Sequence, residues 1–132
     1  MNIGQASKQS GLPAKTIRYY EDVKLVSPIR QDNGYRDYSE NDVHKLRFLQ
    51  RARNLGFPLE TCRKLLSLYE DRDRASADVK HLATLHLEEI DVRIAELQEL
   101  RATLNTLVVA CHGDDRPDCP ILHDLSGTYQ SV

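Results

Sequence analysis

The sequence predicts a mainly α-helical chain: a winged helix-turn-helix head, one long coiled-coil helix, and a short C-terminal loop that carries two cysteines. Three observations predict it. Two short helical patterns flank a Gly11-Leu12-Pro13 turn, an Asn33-Gly34 pair sits between short extended segments, and residues 76–110 contain neither Gly nor Pro. The expected boundaries are 1–70 for the head, 71–110 for a hinge and the long helix, and 111–132 for the loop, a short helix and a tail.

Ile3, Ala6 and Ser10 fall at helical spacing and Gly11 supplies a stop, which predicts a helix over 3–10. Pro13 then opens a second helix of about residues 14–22, so the helix-turn-helix occupies about 4–23. On the second helix Lys15, Arg18 and Tyr19 share a face, while Ile17 and Tyr20 turn toward the first helix or its flank. A basic and aromatic face on a short second helix suits the DNA major groove, although a solvated helical hairpin carries the same pattern.

Asn33-Gly34 predicts a hairpin, because both central residues tolerate positive φ. Its flanks, Ile29-Arg30 and Tyr35-Arg36, would form a two-stranded wing that sets Arg30 and Arg36 against the DNA backbone or minor groove. Ser39 and Asp42 form a capping-box pattern at the start of a helix over roughly 40–55, with Val43, Leu46 and Leu49 on its core stripe. Gly56-Phe57-Pro58 ends that helix and Pro58 opens another through about Tyr69, whose inner stripe includes Cys62. A lone Cys there reads as a small buried hydrophobe.

Ser76 is the expected N-cap of the long helix. Ile90, Leu97 and Leu104 recur every seven residues, with Ile94, Leu100 or Arg101, and Leu107 between them. A helix of 35 residues, about 50 Å long, cannot hide such a stripe within a small chain and should bury it against a second copy. The expected dimer seam is Ile90, Ile94, Leu97, Leu104 and Leu107.

Cys111 and Cys119 enclose seven residues that include a Gly, a Pro and four charged side chains, so a turn-rich loop can point both sulfurs at one place. Two thiolates suit a soft metal ion of low coordination number better than a tetrahedral structural zinc. His112, with His123 or Asp118, would be the alternative and would complete a zinc site. His44, His81 and His86 lie on helices without ligand-spaced partners.

Composition bounds these readings. The net charge of the 132 residues is −2, yet residues 1–74 hold fourteen Lys/Arg against ten Asp/Glu, and residues 75–132 hold four against ten. A basic head on an acidic body fits a nucleic-acid partner. No apolar run approaches the roughly 20 residues of a membrane helix, so no membrane partner is expected. Met1-Asn2-Ile3 leads straight into a helical pattern rather than a secretory signal, and the three cysteines are an odd number, which together predict a cytoplasmic protein. No Ser/His/Asp set, phosphate-cradling Gly-rich loop or paired carboxylates with a pocket is present, so no enzyme is expected.

Ile17-Arg18-Tyr19-Tyr20-Glu21, Asn33-Gly34-Tyr35-Arg36-Asp37-Tyr38 and Arg53-Asn54-Leu55-Gly56-Phe57-Pro58-Leu59, in that order, resemble the signature of the MerR family of bacterial transcription regulators. The terminal Ala110-Cys111-His112-Gly113-Asp114-Asp115, followed by Asp118-Cys119-Pro120-Ile121, resembles the copper-efflux regulator subgroup. The resemblance implies an antiparallel pair of long helices in a homodimer, whose two heads grip an inverted repeat in double-stranded promoter DNA. It also implies that the activated protein distorts the duplex for RNA polymerase, and it gives Lys15, Arg18, Tyr19, Tyr20, Arg30, Arg36 and Tyr38 as candidate DNA contacts. Divalent-metal relatives place a third Cys where this chain has Ser76, which makes Ser76 a selectivity position. With the short loop, it implies Cu(I) at Cys111 and Cys119, with Ag(I) or Au(I) as alternative monovalent ligands.

Three functions fit parts of this pattern. A metal-gated DNA-binding activator of copper efflux genes uses the head, the long helix and the thiols together. A redox regulator would use the thiols as a disulfide switch, and a copper carrier would need the thiols but not the basic head.

Overall fold

The computed structural model describes residues 1–127. Helices α1 (Ile3–Ser10) and α2 (Ala14–Asp22) are followed by strands β1 (Ile29–Arg30) and β2 (Arg36–Asp37). Helices α3 (Glu40–Asn54), α4 (Leu59–Glu70), α5 (Ser76–Ala110) and α6 (Pro120–Leu125) complete the chain.

Each short helix of the head starts and stops on a local interaction. The Asn2 side chain accepts the Gln5 N–H at 2.9 Å while the Gln5 side chain accepts the Asn2 N–H at 3.0 Å, a reciprocal cap at the start of α1. Gly11 ends α1 in the left-handed region at φ 78°, donating its N–H to the Ser7 carbonyl at 2.9 Å. A β-carbon at Gly11 would also lie 3.0 Å from the Gln50 side-chain amide, which donates to the Gly11 carbonyl. Pro13 stands extended just before α2, where its lack of an N–H costs nothing. The Ser39–Asp42 capping box at the start of α3 is formed in both directions, at 3.0 and 2.9 Å.

The wing pairs β1 and β2 antiparallel, Ile29 opposite Asp37 and Arg30 opposite Arg36. Its turn differs from the expected two-residue Asn-Gly type. Gly34 donates to the Gln31 carbonyl at 2.8 Å, Gln31 donates to the Tyr35 carbonyl at 2.8 Å, and Gly34 alone in this turn has positive φ. This is a tight turn followed by a left-handed glycine bulge. The Asn33 side chain accepts the Tyr35 N–H at 3.1 Å, which braces the turn. The Met1 ammonium donates to Asp37 at 2.6 Å and to the Tyr38 carbonyl at 2.9 Å, and the Tyr38 N–H returns to the Met1 carbonyl at 2.7 Å. The chain start is thereby fastened to β2.

α1 packs on α2 and α3, and α3 packs on α4. Ala6, Ile17, Val26, Tyr38, Val43, Leu46, Leu49 and Cys62 fill the space between them. Cys62 is fully buried with its thiol directed to the Phe57 carbonyl at 3.6 Å, and burial pushes its pKa up. It is a core residue, as its place on the inner stripe of α4 predicted.

Two compact units result, Met1–Ala83 and the chain from Thr84 onward. The first unit takes in the start of α5, where Ala83 packs against the core of the head. Ser76 is the first residue of α5 rather than the cap before it, and the Asp78 N–H bonds the Ala75 carbonyl at 3.1 Å.

Further along α5, Ile94, Leu97, Leu100 and Leu104 are 47, 63, 67 and 54% exposed in the single chain. Leu107 departs from the expected seam: at 5% exposure it is already covered, so it has little apolar surface left to give a partner. Leu85 and Val92, also exposed, lie roughly 200° around the helix from Ile90, so the apolar surface is wider than one heptad stripe. Among the described residues no helix is long and apolar enough to cross a membrane.

Leu46 has no exposed surface, and truncating a fully buried Leu costs about 2–5 kcal/mol. Leu46→Ala should therefore lower the unfolding free energy measured in urea by that amount, whereas Leu55→Ala, at a site 67% exposed, should change it by no more than about 0.5 kcal/mol. Equal effects of the two substitutions would contradict this core.

Candidate nucleic-acid interface and metal centre

α2 is amphipathic in a way that divides packing from contact. Ile17 and Tyr20 are buried beneath it, while Lys15, Arg18 and Tyr19 are exposed, Tyr19 at 51%. Helical spacing of three and four residues puts this basic and aromatic set on one accessible face. A cleft of about 830 Å³ lies beside it, lined by residues that include Met1, Ile3, Arg18, Tyr35, Arg36 and Asp37. Its lining comes from the chain start and first turn of α1, from Arg18 of α2, and from the wing.

Two of the expected DNA contacts lie within the core of the head. Tyr20 and Tyr38 are 5% and 1% exposed, and burial pushes both phenols above their ordinary pKa. Their rings pack the core under the interface and so support the contact residues without presenting themselves to a partner. The Tyr38 hydroxyl is buried without a hydrogen-bond partner.

The wing arginines are placed differently from one another. Arg30 is 56% exposed at its side chain and Arg36 only 27%. Both guanidiniums pair with the carboxylate of Glu21, Arg30 Nη2 at 3.3 Å from Oε1, and Arg36 Nε in a short bond to Oε2. That bond raises the Arg36 pKa further above its ordinary value. Sequence reading quoted Glu21 but gave it no role. A signal existed, since two arginines facing each other across a hairpin call for an anion, but the sequence does not say which acid supplies it.

The second site lies at the far end of α5. Cys111 follows Ala110, and its N–H bonds the Leu107 and Val108 carbonyls at 3.1 and 3.2 Å, so the helix hands the first sulfur directly to the loop. Gly113 turns the chain at φ 64°. Asp114 then closes the turn by accepting the Arg116 N–H at 2.9 Å and the Arg116 guanidinium at 2.7 and 2.8 Å, which holds its carboxyl below the usual range. Cys119 precedes α6, and Pro120 occupies the first helical position.

The two sulfurs stand 3.9 Å apart, both half-buried and neither in a disulfide. A metal–thiolate bond is about 2.3 Å, so one ion can touch both sulfurs at this spacing, and they would need to part by about 0.7 Å to lie in line with it. The Cys119 thiol is held below its ordinary pKa, foremost by the Leu122 N–H and also by the Ile121 N–H and the Cys111 thiol, against the opposing effect of desolvation. These amides act at a distance on the sulfur, since neither makes a short capping bond. The same contacts make a Cys119 thiolate easier to form than that of an ordinary cysteine. Among the described residues no cluster of three His, Cys, Asp or Glu side chains assembles, so His112, His123 and Asp118 are not gathered with the thiols into a zinc-type site. Ser76, the selectivity candidate, is exposed and belongs to the first compact unit, whereas the cysteines belong to the second. The expected tail after Gly127 falls outside the described residues.

Comparison with known proteins agrees with this architecture. Residues 1–68 match the family described as "MerR HTH family regulatory protein", and residues 43–107 match "MerR, DNA binding". The chain is 68% identical over 126 residues to the HTH-type transcriptional regulator HmrR of Rhizobium leguminosarum bv. viciae, covering 96% of this chain and 98% of that one. It is 44% identical over 132 residues to the HTH-type transcriptional regulator CueR of Yersinia pestis, covering 99% and 95%. Among solved structures, the regulator PbrR691 from Ralstonia metallidurans CH34 in complex with lead(II) is similar at a TM-score of 0.82 and 28% identity, over 95% of this chain and 98% of that one. These relatives regulate transcription and are not enzymes. Two family matches that between them span residues 1–107, and relatives that cover nearly the whole chain, place the protein in the MerR family of helix-turn-helix transcriptional regulators.

Proposed function

We propose that this chain is a cytoplasmic, copper(I)-responsive regulator that binds an inverted repeat in promoter DNA as a homodimer. With the ion bound, it activates genes of copper efflux by distorting the duplex for RNA polymerase. One observation carries the metal reading: the Cys111 and Cys119 sulfurs lie 3.9 Å apart at the two ends of one short loop. A pair of thiolates is a soft donor set, and with a monovalent ion it leaves a single net negative charge. A divalent ion prefers three or four ligands. The similar regulator PbrR691 is in complex with lead(II), a divalent ion, so the fold by itself does not choose the charge of the ion and the donors must. Silver(I) and gold(I) share the softness and charge of copper(I) and are alternative ligands.

The DNA reading rests on the exposed Lys15, Arg18 and Tyr19 of α2, flanked by Arg30 on the wing. The homodimer rests on the exposed Ile94, Leu97, Leu100 and Leu104, whose burial at about 25 cal/mol per Å² is the available driving force for pairing. Coupling of only a few kcal/mol between two states of that dimer suffices for a metal to change promoter activity. A sulfur pair this close can also form a disulfide, which supports a redox switch as a second reading.

Transcription in vitro from the regulated promoter, without oxygen, separates these readings. Copper(I) should raise the transcript with the wild type. Cys111→Ser and Cys119→Ser should abolish the response while leaving apo-protein bound to DNA, because a hydroxyl stays protonated near neutral pH and binds copper(I) poorly. A response to a disulfide-forming oxidant but not to copper(I) would replace the metal reading with the redox one.

Leu97→Glu places a carboxylate in the proposed seam, at a cost of several kcal/mol if it stays charged and buried. Sedimentation should then find monomer at micromolar concentration where the wild type is dimeric. A dimeric Leu97→Glu protein would move the seam elsewhere on α5.

A further inference from the structure

Arg30 and Arg36 face each other across the β1–β2 ladder. Like charges in that position repel, and two strands of two residues each make a marginal hairpin by themselves. Nothing on β1 anchors the wing by burial, because Ile29 is 73% exposed and Arg30 is exposed as well; Tyr35 in the turn is 71% exposed. Among the described residues, two polar contacts tie the strands of the wing to the rest of the head. One is the Met1 contact with Asp37 and Tyr38 on the β2 side. The other is Glu21, which gives one carboxylate oxygen to each arginine and is itself only 15% exposed.

Glu21 lies on α2 three residues after Arg18, so the two share a face of the recognition helix. Its carboxylate therefore stands between the cation that α2 offers to DNA and the cations that the wing offers. An acid in that place works against a phosphate backbone, and by charge alone its removal should tighten binding to any duplex. Its geometry accounts for its presence: it converts two mutually repelling side chains on a thin hairpin into a clamp with one fixed distance to α2.

We propose that Glu21 is a positioning residue for sequence recognition. By holding Arg30 and Arg36 in register with Arg18, it makes wing and recognition helix dock on the duplex together, and it gives up general affinity to gain selectivity. This rests on the DNA-binding reading, and it assigns selectivity to a residue that need not touch DNA. Phosphate contacts set orientation and base contacts set specificity, so a clamp between the phosphate-directed wing and the base-directed helix controls whether both are satisfied at once.

The test compares two duplexes of equal length. One is recovered by the wild-type protein from a random-sequence library, and the other is its scrambled counterpart. Dissociation constants are measured by fluorescence anisotropy at two salt concentrations. Glu21→Gln, which keeps shape and loses charge, should weaken binding to the recovered duplex by about tenfold while leaving the scrambled duplex unchanged or bound more tightly. Glu21→Asp keeps the charge but shortens the reach, and should lower the preference as well. Arg36→Ala should cost less selectivity in the Glu21→Gln background than in the wild type, because the same clamp is already open.

Tighter binding of both duplexes by Glu21→Gln, with wild-type behaviour of Glu21→Asp, would overturn the inference and leave Glu21 as an electrostatic brake. Equal weakening on both duplexes with a lowered melting temperature would overturn it in favour of a purely structural role. A wild-type preference that every Glu21 variant retains sinks this inference alone. A wild type that prefers no duplex sinks the DNA-binding reading and the inference together.

Discussion

The constraint on which the rest depends is the apolar surface that α5 cannot bury by itself. From Leu85 to Val109 the helix carries Leu, Ile and Val side chains that are about half or more exposed in the single chain, on a helix without a Gly or a Pro to bend it back. Large contiguous apolar surfaces of this kind mark interaction sites. The same helix begins within the compact unit that contains α2 and the wing, and its last turn runs into Cys111. On the proposed metal reading, a change of loop conformation would act directly on the end of an element whose start lies in the unit that contains α2 and the wing.

Much of this organisation was legible in the sequence because it is local. Gly11 and Pro13 punctuate the first two helices, Ser39 with Asp42 caps the third, and the stretch without Gly or Pro fixes α5 at Ser76–Ala110. The approach of Cys111 to Cys119 was legible for the same reason, since the Gly and Pro of a seven-residue loop let it fold back on itself. Features that depend on distant partners were not legible. Tyr20 and Tyr38 sit in a motif that resembles a DNA-contacting one, yet a tyrosine serves equally as a core ring, and only the assembled core of the head, which buries both, decides between those uses. Leu107 follows the seam spacing but is covered within the chain, a fact that periodicity cannot contain. The Asn33-Gly34 pair signalled a hairpin, but not that Gln31 would pair with Tyr35 and leave only Gly34 at positive φ.

The wing illustrates how charge and geometry trade against each other at a nucleic-acid interface. Its arginines are the groups that a phosphate backbone would seek, yet in the free protein they are shared with Glu21. The loop around the cysteines shows the same economy, with Asp114 and Arg116 satisfying one another so that the two thiols are the soft donors it presents. In both places an internal ion pair shapes the scaffold and a neighbouring group is left for the ligand.

The metal reading stands or falls on the atoms that surround the bound ion. X-ray absorption at the copper edge of the copper(I)-loaded protein, prepared without oxygen, counts those atoms directly. Two thiolates from Cys111 and Cys119 predict two sulfur scatterers near 2.3 Å or slightly closer and no nitrogen or oxygen shell. A distinct light-atom shell would bring His112 or a neighbouring carboxylate into the site and contradict the two-thiolate account.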